Sequence, residues 1–377
     1  MRRAVLLLGL FIGAAPASAQ DFDRRILPRA PVYARNATCA PVSLSMPKSR
    51  HAAINGNLVC PTPADMPLTQ GDSAMCFAYA TADMISQRVG AVVSPMDVAT
   101  KYYFADAARL ALSTTSELRR ELAALGDFDA TVRHSRDTID IAAAGNAARE
   151  PLFDKLEGGE EDIAALLYNI DGLCLDADLP SFDGYMFARD FLRRNFLRAR
   201  FAPKPNLTPR AVATTSDRLR SPLADAYNAA WVAHTERSCR RRPSPVPLLP
   251  AAYRIAHDRQ AVIEMLQEGR PISAAKKNRM MAMIDYALDN GRAPAVGYTY
   301  WVLEEREAND PDITADHSSV VLARRKANGV CQYQVQDNTG EYCAAMRPHI
   351  AARCANGRIW LTEDELREAA YSVVYLR

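Results

Sequence analysis

Along residues 75–88 the apolar positions Phe77, Ala80, Met84 and Ile85 recur at helical spacing, and Gly90 stands where that helix should end. A second helix start follows. Ser94-Pro95-Met96-Asp97 offers a serine cap, a proline at the first helical position and an acid in the first turn. Two further amphipathic stretches, 115–125 and 160–170, are each closed by a nearby glycine, Gly126 and Gly172. Residues 185–270 read as largely helical. They are interrupted at 203–209 and by Arg240-Arg241-Arg242-Pro243-Ser244-Pro245, a basic, proline-rich run read as a solvated linker. From Ala293 the pattern changes. Stretches 295–302, 319–323, 333–336 and 371–375 are rich in β-branched and aromatic residues and predict strands. Helices first and strands last predict an α+β fold with two segregated lobes.

The first twenty residues have the layout of an export signal. Arg2 and Arg3 are followed by an apolar run over 4–15 and an A-x-A cleavage site at Ala17-Ser18-Ala19, before Gln20. The run is shorter than the roughly 20 residues that cross a bilayer, so no anchor is expected after cleavage. Residues 20–69 hold recurrent prolines and read as extended chain and turns. With 49% hydrophobic and 24% charged residues the rest is ordinary globular protein. Losing Arg2 and Arg3 with the leader balances the 46 basic residues against the 44 acidic ones. That neutrality gives no electrostatic reason to expect nucleic acid. Neither a glycine-rich phosphate loop nor a paired Cys-x-x-Cys metal site occurs, so no cofactor or metal is expected.

Eight cysteines, Cys39, Cys60, Cys76, Cys174, Cys239, Cys331, Cys343 and Cys354, suit an oxidising compartment. Disulfides Cys39–Cys60 and Cys343–Cys354 are expected because both close short loops, with Cys331 able to displace a partner in the second pair. Cys76 stands apart. It opens the 75–88 helix, where unpaired N–H groups and the helix dipole favour a thiolate. Gln70, six residues earlier, could aim its amide at the oxyanion formed when a carbonyl is attacked.

The segment Gln70-Gly71-Asp72-Ser73-Ala74-Met75-Cys76-Phe77-Ala78 resembles the active-site start of the papain-like cysteine peptidases. In that family a glutamine precedes the nucleophilic cysteine by the same interval. Downstream, Asp316-His317-Ser318-Ser319-Val320 is similar to the family's histidine strand, and Gln336-Asp337-Asn338-Thr339-Gly340 to the strand that carries its asparagine. Departures are visible. Ser73 stands where the family has a disulfide cysteine, and no tryptophan follows Asn338. The interval from Cys76 to His317 is 241 residues, against roughly 130–150 in the family.

The leader pattern sets a signal peptide over 1–19 and the prolines an extended segment over 20–69, and the resemblance implies a helical lobe with the nucleophile over 70–184. It also implies a helical insertion over 185–280, and a twisted antiparallel sheet lobe with the histidine and asparagine over 281–377. An exported cysteine peptidase is expected, with Cys76 as nucleophile, His317 as base, Asn338 orienting that base and Gln70 on the oxyanion. An extended peptide or protein substrate would lie in the cleft between lobes. The insertion, through Phe187, Phe191, Phe196 and Leu197, would cap or narrow that cleft or lie far from it. Asp337 could take the place of Asn338, and such a triad would resemble transglutaminase-like enzymes. A thiol amidase or acyltransferase on cell-wall peptide, and an inactive binding protein of the same fold, are the rival readings. The other histidines, His51, His134, His234, His257 and His349, lack a strand context.

Overall fold

The computed structural model describes residues 39–48, 52–55, 58–61, 68, 75–104, 161–180, 229–255, 272–304, 316–338, 343 and 346–377. The leader, Gln70, the 115–125 stretch and the aromatic positions Phe187, Phe191 and Phe196 lie outside these residues.

In chain order the elements are β1 (Val42–Ser43), β2 (Ala52–Asn55), β3 (Leu58–Pro61), α1 (Cys76–Val89), α2 (Pro95–Phe104) and α3 (Glu161–Asp171). Helix α4 spans 229–238. There follow β4 (Pro250–Arg254), α5 (Ala274–Asp289), β5 (Ala295–Thr299), β6 (Asp316–Ala327) and β7 (Val330–Gln336). The chain ends with α6 (Pro348–Ala351), β8 (Cys354–Ala355), β9 (Arg358–Thr362), α7 (Glu363–Ala369) and β10 (Ala370–Leu376). The fold mixes helices with an open antiparallel sheet of eight strands, in the order β4-β10-β5-β6-β7-β9-β8, with β1 paired to β6.

The helix ends follow the local chemistry. Gly90 takes the left-handed conformation and its N–H returns to the Ser86 carbonyl, closing α1. Ser94 caps α2 by accepting from the Asp97 N–H at 3.3 Å. Thr362 and Glu365 form a capping box at the start of α7.

Period two divides the sheet into faces. Ala295, Val320, Leu322, Val374 and Leu376 join the core shared with α1, α2 and α3. Their neighbours Val296, Val321, Val373 and Tyr375 join the core under α5 and α7. Helices therefore cover both faces, and the strands read as near-continuous apolar runs.

Three differences from the sequence reading stand out. Strand β4 falls in a stretch expected as helix and insertion, yet pairs along β10 from Ser372↔Arg254 to Leu376↔Pro250. Its proline occupies the first position of an edge strand, where no ladder N–H is needed. Helix α4, also within the expected insertion, buries Trp231 completely and donates its indole N–H to Thr100 of α2 at 2.7 Å. Residues 300–302, expected as the end of a strand, turn as a 3-10 helix.

Among the described residues the disulfides are Cys39–Cys331, Cys174–Cys239 and Cys343–Cys354. The last was expected, and Cys39–Cys60 is corrected. Strand β1 pairs Val42 with Arg324, and continuing that register sets Cys39 level with the β6–β7 turn, beside Cys331.

Candidate active site

Helix α1 begins at Cys76 with no side-chain cap from Met75. The Ala78 and Tyr79 N–H groups both donate to the Met75 carbonyl, at 2.9 and 3.2 Å, and the N–H groups of the first two helical residues stand outside the intrahelical ladder. The ten residues from Phe77 to Ser86 are all buried, and the Phe77 ring packs on Tyr102 at 4.8 Å. Cys76 itself is half-exposed and is the free cysteine among the described residues. The helix is anchored along its length while its first side chain remains accessible.

His317 sits one residue into β6, opposite Tyr298 of β5. It is 4% exposed. Two aromatic rings stand edge-on to the imidazole, Tyr298 at 5.5 Å and Tyr300 at 5.0 Å. The imidazole Nε2–H donates to the Asp337 carboxylate at 2.9 Å, and the Cys76 side chain is hydrogen-bonded to the same ring. With Nε2 engaged, Nδ1 is the nitrogen that can serve the thiol.

Burial alone would pull the His317 pKa down. The charge and hydrogen bond of Asp337, and then the Cys76 side chain, outweigh it and push the imidazole up to about 10. The ring is therefore held as a cation beside the Asp337 carboxylate.

Asn338, expected on the imidazole, is elsewhere. Its amide donates to Asp83 of α1 at 3.0 Å. The alternation of the strand explains why. Strands β6 and β7 pair Val320 with Gln336, and continuing that register puts Asp337 opposite Ser319, diagonal to His317 on the same face. Asn338 falls on the other face with Gln336, toward α1, and Gln336 also donates to Asp83 at 2.8 Å. One residue of offset decides which side chain reaches the histidine.

The backbone of Asp337 is held as well, its N–H donating to the Gly357 carbonyl at 2.7 Å. Asn356 and Gly357 both have positive φ, 52° and 69°, as the two-residue turn joining β8 to β9 requires. Asn-Gly is the sequence signal for that turn, and it would have located this support.

Among the other histidines, His234 stacks near Trp231 at 5.6 Å and His349 pairs with Glu365 at 3.4 Å. His51, His134 and His257 lie outside the described residues. Asp97, Cys174 and Cys239 gather within ligand distance of one another. The two sulfurs are already bonded together, and Asp97 receives both Arg241 guanidinium nitrogens at 2.6 and 2.8 Å. That donor set is consumed by protein bonds. No helix among the described residues is long and apolar enough to cross a membrane.

No family model matches the chain, and no curated protein does. Among solved structures, PepW from Lactobacillus rhamnosis HN001 is similar over 89% of this chain and 82% of its own, at 12% identity and a TM-score of 0.35. The digestive procathepsin L 3 of Tenebrio molitor larval midgut is similar over 88% of this chain and 75% of its own, at 8% identity and a TM-score of 0.32.

Proposed function

We propose that this chain is an exported thiol hydrolase of papain-like, two-lobed design that cleaves peptide bonds. The observation that carries the reading is the continuous hydrogen-bonded series from Cys76 through His317 to Asp337, with an accessible sulfur at one end and a buried carboxylate at the other. Export accords with the leader-like sequence and with three disulfides.

In this reading the proton of Cys76 already resides on His317 Nδ1, and the thiolate of that pair attacks the substrate carbonyl. The C=O electron pair moves onto oxygen, where the Cys76 backbone N–H and the Gln70 amide would stabilise it. Collapse of that intermediate breaks the C–N bond as His317 returns the proton to the leaving amine. Water, deprotonated by His317, then attacks the thioester and releases the carboxylic acid together with free Cys76. Asp337 keeps the ring aligned and supports its charge throughout, the part first expected of Asn338.

The carboxylate at that position favours one further reading, a transglutaminase-like transfer of the acyl group to an amine. Casein and a fluorescent primary amine, offered together, separate the two. Soluble fragments without amine incorporation indicate a peptidase, and incorporation indicates a transferase. Cys76→Ala should abolish either reaction while leaving the circular dichroism spectrum unchanged. Turnover surviving in Cys76→Ala would remove the assignment. Wild-type protein that is neither active nor labelled stoichiometrically by an epoxysuccinyl thiol reagent would instead be a binding protein of this fold.

A further inference from the structure

Asp83 lies on α1 seven residues after Cys76, two helical turns along the same face. It is 5% exposed, and no lysine or arginine is paired with it by a salt bridge among the described residues. A buried carboxylate is costly, and burial indeed pushes Asp83 up to about 6. Its hydrogen-bond donors are amides. Gln336 Nε2 and Asn338 Nδ2 both donate to the same oxygen, Oδ2, at 2.8 and 3.0 Å. These are the residues immediately before and after Asp337. Gln336 is itself steadied by Arg358 of β9, whose Nε approaches Gln336 Oε1 at 3.4 Å.

We infer that Asp83 is a positioning residue: by clasping both neighbours of Asp337 it fixes the chain after β7 to the helix that begins with Cys76, and so sets the Asp337–His317 bond against the sulfur. The inference rests on reading Cys76, His317 and Asp337 as the reacting group.

The geometry makes a specific demand. Asp337 lies just past the end of β7, where ladder pairing has stopped, and its own side chain faces the imidazole. Its flanks are held by bonds that support this alignment. One flank is the backbone bond to Gly357, and the other two are the Gln336 and Asn338 amides. Since both amides use one oxygen, an acceptor at that one point suffices, and a negative charge is not needed for the geometry. Asparagine at position 83 presents such an oxygen, and alanine does not.

The test is the rate at which iodoacetamide alkylates Cys76, read on the Cys76 peptide by mass spectrometry, together with the NMR signal of the His317 Nε2–H proton. Neither readout needs a substrate. Asp83→Ala should slow alkylation by about 10–10²-fold, the cost of a misplacement near 1 Å, and should broaden or shift the Nε2–H signal. Asp83→Asn should restore the rate to within about threefold and return the signal. Asn338→Ala, which removes one of the two bonds, should fall between wild type and Asp83→Ala. Wild-type rates in Asp83→Ala, or Asp83→Asn as slow as the alanine variant, would overturn the inference. If Asp83→Ala does not fold, a wild-type rate in Asn338→Ala overturns it alone. The peptidase reading can fail separately, with no peptide cleaved while the alkylation series keeps this order. Conversely, a peptidase whose Asp83→Ala variant alkylates at wild-type speed retains its activity and loses the clasp.

Discussion

At the residue, the decisive question is which side chain meets His317 Nε2. The charged state of the ring depends on the answer. Burial opposes the imidazolium, and the Asp337 carboxylate is the largest influence favouring it. Replacing Asp337 with Asn keeps a hydrogen-bond acceptor but removes the charge, so burial should prevail and the ring should become neutral near pH 7. Turnover should then fall by about 10²–10⁴-fold, as when the partner of a catalytic histidine loses its charge. Stability should change in a defined direction. A histidine raised from 6.5 to about 10 contributes stability that is fully present below pH 6.5 and is lost as the pH rises through 10. The stability gap between wild type and Asp337→Asn, measured in urea, should therefore be widest below pH 6.5 and narrow toward pH 10. A gap independent of pH would show that Asp337 does not hold the charge. The Tyr298 and Tyr300 rings stand edge-on to the imidazole, and both His317 and Asp337 are buried.

At the element, the sequence was most informative where a local rule acts. Gly90, Ser94-Pro95 and Gly172 marked helix boundaries that the structure keeps within a residue or two, because caps and left-handed closures depend on the backbone nearby. The strand placement of His317 was legible because an apolar β-branched run followed it, and β6 carries it. The assignment of Asn338 rather than Asp337 could not be settled locally, since it depends on the register of β7 against β6. Strand β4 was missed for a similar reason. Pro-Ala-Ala-Tyr-Arg has little strand propensity, and only the pairing with β10 makes it one. Helix α4 is likewise fixed by distant partners. Trp231 bonds Thr100, and Arg241, just beyond the helix, forms a two-pronged pair with the fully buried Asp97 of α2. Lys101, 6% exposed, lies 3.9 Å from the same carboxylate. Asp97→Ala should cost about 3–5 kcal/mol, because it leaves cations without their counter-charge in a buried setting. The fall should appear in the urea midpoint, and a loss under 1 kcal/mol would mean that water already screens these cations.

At the scale of the whole molecule, chain closure joins what the sequence leaves far apart. Cys39–Cys331 spans 292 residues and Cys174–Cys239 spans 65. Neither pairing was readable from spacing, because both follow from where strands and helices come to lie. The second bridge locks α4 and the Arg241 pair onto the segment after α3, beside backbone bonds between Leu173 and Arg242 at 2.7 and 3.0 Å. Closing a loop of that length restricts the unfolded chain by about 4 kcal/mol in the chain-entropy account, and measured effects of about 2–4 kcal/mol are usual. Replacing Cys174 and Cys239 together with Ser should therefore lower the stability by that amount, chiefly by widening the unfolded ensemble. Cys76 takes no part in the bridge and sits at the far end of α1 from Gly90, so its alkylation rate in the folded variant should remain within about twofold of wild type. The two measurements separate closure from site geometry. A urea midpoint that does not move would show that the surrounding bonds already hold α4. A slowed Cys76 would show instead that the bridge supports the site through the shared core.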